Sequence, residues 1–401
     1  MSASPGAPER RIYLDWAATT PVRSEALDAM LPYFSQDFGN PSGHYGAGLR
    51  AAEALDRARQ EIADVLGAIP EEVVLTSGGT ESINAALKGV AFAQRDAGAG
   101  SHIVTTQVEH HAVLHSAEYL ERFGFDVEYL PVDGEGRVEP ADVAAAVRED
   151  TALVSMMYAN NEVGTVQPLA AIGRAVRARA DELGRRVPLH TDAVQAATSL
   201  TLDVDTLNVD VLSLSGHKFG GPKGTGVLYL RRDVPFLEQA SGGGQERQRR
   251  SGTENVPGAI GLATALRLSQ GERERFTEQT SALRDRLLER VLEVCPDVRL
   301  NGHATERLPQ NLHLCFDGVE GESVVGLLDG DGVECSAGAA CTSATWEPSH
   351  VLLAMDVPLE LAIGSVRMTV WPSLDEADID YAADCLGAAV RRIRAEAAPA
   401  L

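Results

Sequence analysis

The sequence predicts an α/β protein with a mainly parallel sheet and a smaller α+β unit towards its C-terminal end. From about Glu72, short apolar runs alternate with helix-length segments, and several runs are apolar at consecutive positions. Strands covered by helices on both faces have this pattern. The alternation therefore favours parallel strands joined by crossover helices. The predicted strands are Val73–Thr76, His102–Thr106, Val127–Pro131, Leu153–Met157, Val187–Thr191 and Val211–Leu214, and the predicted helices include Thr80–Gln94, His111–Phe123 and Leu169–Leu183.

The alternation ends at a stretch rich in glycine and arginine, Ser241–Pro257. A long helical region follows it, and then strands near Val298–Leu300, Asn311–Phe316 and Ser365–Val370 and a helix from Leu374 onward. We therefore expect a disordered tail over residues 1–11, a large domain over 12–258 and a small domain over 259–401. The first residues of the large range are candidates for packing on the small domain.

Composition limits the possible functions. The formal net charge of −23 argues against a general binder of nucleic acid or anionic membranes. A local basic patch, Arg247, Arg249 and Arg250, is either a binding feature or a solvated loop. The five scattered cysteines include no Cys-x-x-Cys spacing, which favours a reducing compartment over disulfides or a zinc site. With no apolar signal segment or membrane span in the sequence, we expect a soluble, cytoplasmic protein without a metal site.

A lysine follows one of the predicted strands. The segment VDVLSLSGHKFGGPKGTG places Ser215, His217 and Lys218 just after an apolar run. Ligands bind at the carboxyl ends of strands in α/β sheets. A desolvated lysine amine at this position could form a Schiff base. The alternative is a surface lysine in a turn.

Two further strand ends carry polar groups. In VPLHTDAVQ the strand ends at Asp192, with Gln195 soon after, and a carboxylate there can hold a proton on a pyridinium nitrogen. The alternative is an N-cap aspartate. In VVLTSGGTES a strand runs through Gly79 and Thr80 into a helix, whose free N–H groups can bind phosphate. Lysine, carboxylate and phosphate cup along one sheet edge together indicate pyridoxal 5′-phosphate.

A cysteine lies among small residues in the predicted small domain. The segment CSAGAACTSATWEPSH contains Cys335 and Cys341. Small neighbours would leave the Cys341 thiol accessible, as a nucleophile requires. The alternative is a small buried hydrophobe, the expected state of Cys295, Cys315 and Cys385. The role of Cys335 stays open.

Several motifs resemble one enzyme family over residues 12–386. They are YLDWAATTPV, FGNPSGHY, TSGGTES, VEHHAVL, ANNEVGTVQP, HTDAVQ, SGHKFGGPKGTG, GGGQERQRRSGTENVPG, ACTSA and EPSHVL. Together they resemble the NifS/IscS-like cysteine desulfurases of the class V aminotransferase superfamily. The resemblance implies pyridoxal-phosphate fold type I, with a mainly parallel seven-stranded sheet in the large domain. It also implies conversion of L-cysteine and an acceptor thiol to L-alanine and a persulfide.

The resemblance assigns roles residue by residue. Lys218 would form the internal aldimine, and Cys341 would accept sulfur as a persulfide. His110 would stack on the cofactor ring and help to move protons. Asn161 would lie near the cofactor oxygen and the substrate carboxylate, and Arg367 would bind that carboxylate. The other implied cofactor-binding residues are Asp192 at the ring nitrogen, Gln195 at the ring oxygen, and Gly79, Thr80, Ser215, His217 and Thr253 at the phosphate, with Thr253 supplied by the partner in a homodimer.

Two departures from the family pattern bear on the substrate site. Ala339 stands where the family usually has serine, and Trp371 stands where it has glycine. A selenocysteine lyase or another class V aminotransferase would share Lys218 and Asp192, so both are alternatives. A sulfur-relay scaffold with weak catalysis and a silent relative of the enzyme are further alternatives. The acceptor stays open among iron–sulfur scaffold assembly, tRNA or DNA thiolation and sulfur-metabolite synthesis.

Overall fold

The computed structural model describes residues 10–338 and 348–397. The strands in these residues, numbered along the chain, are β1 Ile12–Tyr13, β2 Val73–Thr76, β3 His102–Thr106, β4 Asp126–Leu130, β5 Thr151–Met157, β6 Leu189–Asp192, β7 Val211–Ser215, β8 Gly226–Leu230, β9 Val298–Leu300, β10 Asn311–Phe316, β11 Val333–Glu334, β12 Ser336–Ala337 and β13 Ser365–Thr369.

The helices vary widely in length. The α-helices are Ser24–Met30, Pro32–Ser35, Gly46–Leu66, Gly79–Asn84, Val90–Asp96, His111–Glu121, Pro140–Ala146, Leu169–Glu182, Val204–Leu207, Gln245–Gln248, Val256–Gly271, Arg273–Val294, Gly321–Gly330, His350–Ala354, Leu359–Ile363 and Glu376–Ala397. A π-helical turn, Ala85–Gly89, joins Gly79–Asn84 to Val90–Asp96, and short 3₁₀ turns lie at Pro70–Glu72 and Gly216–Lys218. None of the described helices is long and apolar enough to cross a membrane.

The larger sheet confirms the predicted fold class. Within the described residues it has seven strands in the order β2-β8-β7-β6-β5-β3-β4. β3 to β7 run parallel to one another, whereas β8 is antiparallel to both β2 and β7. Every residue of β3, β5, β6 and β7 is buried, which explains the consecutive apolar residues in β3, β5 and β7. β8 was not among the predicted strands.

The parallel strands bring three chain segments to one edge of this sheet. In the β5–β6 pairing Met157 lies opposite Asp192, and in the β6–β7 pairing Asp192 lies opposite Ser213. The carboxyl ends of these strands therefore meet at the same edge, where α/β sheets bind ligands. The helix Gly79–Asn84 starts beside them, because β2 lies next to β8 and β8 next to β7.

A second unit contains a four-stranded antiparallel sheet in the order β12-β13-β10-β9. Helices Arg273–Val294 and Glu376–Ala397 pack on each other and contribute Leu287 and Leu386 to its core. The start of the chain also belongs here, because β1 pairs in parallel with β11 and Ile12 lies in the same core. This unit is the predicted smaller α+β part of the chain.

The helix Val256–Gly271 belongs to the larger unit. Its residues Ala259, Leu262 and Leu266 are buried in the same cluster as residues of the seven-stranded sheet, and it packs along helix Gly46–Leu66. We therefore propose that the change of domain falls where this helix meets Arg273–Val294, later in the chain than the predicted Gly258.

Candidate active site

A cavity of about 250 Å³ lies at the carboxyl edge of the seven-stranded sheet. It is lined by residues of both units, since Lys218 follows β7 and Arg367 belongs to β13. The predicted site residues that line it are Gly79, Thr80, His110, Asn161, Asp192, Gln195, Ser215, His217, Lys218 and Arg367. The structure thus brings together segments that are far apart in the sequence.

Lys218 is held against the start of the chain. It ends the 3₁₀ turn Gly216–Lys218 that follows β7. Its Nζ donates to the carbonyl oxygens of Ala17 and Ala18 at 2.7 and 2.8 Å. Gln195 Nε2 donates to the same Ala17 oxygen at 3.0 Å. The lysine amine is therefore fixed at the cavity wall by main-chain acceptors.

Asp192 is a buried carboxylate at the end of β6. Its Oδ1 accepts a hydrogen bond from the Val194 amide at 3.0 Å, and the residue is only 6% exposed. Burial raises the pKa of Asp192 to about 6, although the Val194 amide and the Lys218 ammonium both lower it. Such a carboxylate gains from a cationic N–H partner, because ionisation without one is penalised by desolvation. Residues 194–199 form turns and the next helix begins only at Val204, so the alternative of an N-cap aspartate is wrong.

The turn before helix Gly79–Asn84 is built from residues without bulk. Gly78 has φ +152°, a conformation that favours glycine. A Cβ on Gly79 would lie 2.8 Å from Val194 Cγ2 and 3.3 Å from Ser215 Cβ, so only glycine fits there. The first amides of this helix have no acceptor within the helix. Together with the Thr80 hydroxyl, they form a concave group of donors suited to an anion.

Two histidines of the cavity are neutral. His110 precedes helix His111–Glu121, and its Nδ1 accepts from the Ala112 amide at 3.0 Å. Burial, followed by the Lys218 ammonium, lowers the pKa of His110 to about 4. Because Nδ1 accepts, the neutral ring carries its proton on Nε2. Burial and the charge of Lys218 also lower the pKa of His217 to about 4, and its Nδ1 lies 3.0 Å from Thr19 Oγ1.

The small unit contributes a buried cation. Arg367 is 3% exposed, and its Nη2 donates to Asp15 Oδ1 at 2.7 Å. Its Nη1 donates to the main-chain oxygen of Asn161 at 2.9 Å, and Nη2 lies 3.4 Å from Ser336 Oγ. A guanidinium held in this way can present its remaining N–H groups to a carboxylate.

Among the described residues, one predicted site residue does not line this cavity. Thr253 lines a separate cavity of about 220 Å³ with Ser77 and Gly226, so its predicted role across a homodimer stays a prediction. Cys341 lies outside the described residues, as does Ala339. Trp371 stacks on Trp16 with ring centres 4.7 Å apart, at another cavity of about 300 Å³.

Two of the described cysteines are buried, and arginines of the basic patch contact other residues of the same chain. Cys295 and Cys315 are buried, and burial raises the pKa of Cys335 to about 12, which keeps that thiol protonated. In the patch, Arg249 Nη1 donates to the Glu71 carbonyl at 2.6 Å, and Arg250 pairs with Glu81.

Sequence reasoning missed two acidic residues of the site. Asp15 and Glu109 both lie in motifs that carried the resemblance, YLDWAATTPV and VEHHAVL, so a signal for each existed. Glu109 Oε1 accepts from the Met157 amide at 2.8 Å and from Thr106 Oγ1 at 3.0 Å. Burial raises the pKa of Glu109 to about 8, and the neighbouring Asp192 adds to this shift. Glu109 is therefore a mainly neutral acid near pH 7.

Comparison with known families decides the classification. The model of the family "Aminotransferase class-V" matches residues 12–382. The chain belongs to this family. The predicted family and fold type are confirmed.

Named relatives agree with the predicted subgroup. "Cysteine desulfurase IscS" of Methanosarcina thermophila is 47% identical over 385 residues, which cover 96% of this chain and 93% of the relative. A solved structure described as a NifS-like protein superposes with a TM-score of 0.88 at 36% identity, covering 94% of this chain and 99% of that one. The structure of SspA in complex with cysteine superposes with a TM-score of 0.78 at 36% identity, covering 90% and 99%.

Proposed function

We propose that this chain is a cysteine desulfurase that uses pyridoxal 5′-phosphate and receives sulfur on Cys341. In the net reaction L-cysteine and the Cys341 thiol give L-alanine and a Cys341 persulfide, so the Cβ–S bond of the substrate breaks and an S–S bond forms. One observation carries the proposal. Lys218, Asp192, the first turn of helix Gly79–Asn84 and Arg367 line the same cavity.

The residues of the cavity suit the cofactor. Asp192 would supply a buried carboxylate for a protonated ring nitrogen, and the helix amides would hold the phosphate, with Gly79 letting the helix start pack against Val194 and Ser215. Thr80, Ser215 and His217 add polar groups to the same wall. When bound, pyridoxal phosphate supplies an electron sink that stabilises negative charge at the α-carbon of an amino acid.

Lys218 is the residue that can move a proton at the substrate α-carbon. Its amine is fixed by the carbonyls of Ala17 and Ala18, which orient it without neutralising it. A neighbouring carboxylate, Asp192, and a neutral His110 share the cavity with it. Proton transfer by a positioned side chain contributes about 10²–10⁴-fold to a rate.

Arg367 would hold the substrate by its α-carboxylate. Its guanidinium is anchored by Asp15 and by the Asn161 carbonyl, so the plane of the donors is set before substrate binds. Binding by one fixed fork orients the amino group and the α-carbon toward Lys218. Cys341 lies in the segment that follows β12, and β12 pairs with the strand that carries Arg367.

The proposed function is tested by replacing the sulfur acceptor. Cys341→Ala is expected to keep the visible absorbance of the bound cofactor and to form no protein persulfide from L-cysteine. Cys385→Ala is the matched control, because Cys385 is partly exposed, belongs to helix Glu376–Ala397 and is not among the residues that line the cavity. Normal persulfide on Cys341→Ala would refute the role of Cys341, and native protein that yields no alanine from cysteine would refute the function.

We further propose that the enzyme is a homodimer. Large apolar side chains that are 47–71% exposed cluster early in the chain, at Leu27, Leu31, Phe34, Phe38, Tyr45 and Leu49. Exposed apolar clusters of this kind are typical of protein interfaces. Light scattering is expected to give twice the 42.6 kDa chain mass for the native protein and a smaller mass for Phe34→Asp/Phe38→Asp. A native monomer with full activity would exclude this arrangement.

The persulfide requires an acceptor, and we propose a sulfur-acceptor protein in the cytoplasm. The described cysteines Cys295, Cys315, Cys335 and Cys385 are all free thiols, in keeping with a reducing compartment. Incubating the persulfide-bearing enzyme with iron–sulfur scaffold or thiolation proteins and measuring labelled sulfur on each would identify the acceptor. Release of the label only as free sulfide would argue against a protein acceptor.

A further inference from the structure

An acidic side chain, Asp15, contacts the arginine of the candidate active site. Arg367 lines the cavity, whereas Asp15, within the described part of the chain, is not among the lining residues. The two side chains form an ion pair of 2.7 Å, with 3% of the arginine and 18% of the aspartate side chain exposed. Asp15 therefore contacts this cation without itself lining the cavity.

The main chain around Asp15 is attached to the strand that carries Arg367. The Thr369 amide donates to the Leu14 carbonyl at 2.6 Å, and the Ala17 amide donates to Thr369 Oγ1 at 3.0 Å. An isolated bridge also pairs Asp15 with Thr369. Because both partners of the ion pair are fixed to β13, the Asp15 carboxylate is preorganised toward the guanidinium.

The contact between Asp15 and Arg367 balances the charge of the buried guanidinium. A guanidinium with 3% exposure is costly to keep in the protein without a counter-ion. Before substrate binds, Asp15 supplies that counter-ion, and the Asn161 carbonyl engages the second terminal nitrogen. Two fixed acceptors on Nη1 and Nη2 leave the guanidinium little freedom to rotate, while N–H groups remain for a ligand.

We propose that Asp15 is a positioning residue for the desulfurase reaction, acting through Arg367 to orient the substrate α-carboxylate. This inference rests on the proposed function. The same segment continues to Ala17 and Ala18, whose carbonyls hold Lys218. A single stretch of chain therefore aligns both the carboxylate-binding cation and the proton-transferring amine.

The first test separates KM from kcat in the holoenzyme. Asp15→Asn is expected to raise KM for L-cysteine about tenfold and to change kcat less than about threefold, because the acceptor that holds Arg367 loses its negative charge. Cofactor absorbance should be unchanged. Ser336→Ala is the matched control on the same nitrogen, and its longer, neutral contact of 3.4 Å predicts a change in KM under about threefold. An unchanged KM in Asp15→Asn would overturn the proposal.

The second test asks whether Asp15 acts through the arginine. In an Arg367→Ala background, adding Asp15→Asn is expected to leave kcat/KM unchanged, since the group that Asp15 orients is gone. The same fold loss in both backgrounds would overturn the proposal. If Asp15→Asn does not fold, Asp15→Glu keeps the charge on a longer stem, and an unchanged KM there would also count against it. An inactive native enzyme would instead refute the proposed function.

Discussion

The two walls of the active-site cavity carry charge in different ways. On the large-sheet wall, Asp192 is a buried carboxylate whose pKa is raised to about 6, with the uncharged acid Glu109 beside it. On the small-sheet wall, the buried Arg367 is already paired with Asp15. The large-sheet wall is a carboxylate site that is stabilised by a cationic ligand. The small-sheet wall is a cation already paired with Asp15, and its remaining N–H groups can bind a ligand carboxylate. The difference predicts that the first wall sets the rate and the second sets substrate affinity.

The largest effect is expected on the large-sheet wall. Asp192→Asn removes the charge that would hold a proton on the cofactor ring, so kcat should fall about 10²–10³-fold. Steady-state kinetics with saturating pyridoxal phosphate would measure this. If Asp192→Asn lowered the affinity for cysteine and left kcat unchanged, the large-sheet wall would set substrate affinity and not the rate.

A smaller effect is expected on the small-sheet wall. Arg367→Lys keeps the charge but loses the planar fork that contacts Asp15 and Asn161. KM for cysteine should rise about 10–100-fold while kcat changes by a few-fold at most. An equal loss in kcat would show that this wall also acts in the chemical step.

The pH dependence of stability should differ between the walls as well. The pKa of Glu109 is raised from 4.5 in the unfolded chain to about 8 in the folded one. Between these values the native protein keeps a proton that the unfolded chain has released, so the contribution of Glu109 to stability falls as pH rises through this window. Urea unfolding of cofactor-free protein from pH 5 to 8 should show Glu109→Gln gaining stability relative to the native sequence by roughly 2–4 kcal/mol. An identical pH dependence in both proteins would mean that Glu109 is ionised in the folded state.

The smallest effect on catalysis is expected from Trp371. It stacks on Trp16 and meets Phe276 edge-on, at ring-centre distances of 4.7 and 4.8 Å. Trp371→Ala should lower the free energy of unfolding by about 3 kcal/mol and change KM less than about threefold. A large change in KM would connect this aromatic cluster to the carboxylate site.

The large-sheet wall could be predicted from the sequence because each part lies in a short continuous segment. A strand, its last residues and the following turn place Asp192, Ser215 and Lys218 at one edge without any long-range information. The π-helical turn Ala85–Gly89 was not predictable, since no local pattern distinguishes it from the α-helix on either side. Strand β8 was missed because its antiparallel pairing departs from the alternation of strands and helices.

The small-sheet wall depends on contacts between distant segments. Asp15 and Arg367 are 352 positions apart, and their pairing follows from the way the start of the chain meets β13. The resemblance named Arg367, and the motif YLDWAATTPV singled out the segment of Asp15, but neither indicated that these two residues form an ion pair. Helix Val256–Gly271 packs on the larger unit, and the sequence composition did not indicate which of the two units it would join.

The pairing of β1 with β11 has a consequence for biosynthesis. Arg11, just before β1, forms an ion pair with Glu334 of β11, and the two residues are 323 positions apart. At about 5–20 residues per second, the ribosome adds that length in roughly a quarter of a minute to a minute. During this time Ile12 and Leu14 lack the core in which they are buried in the finished protein. The N-terminal segment is therefore synthesised long before strand β11, with which it pairs. Its apolar residues stay exposed during that time and are available for a chaperone to bind.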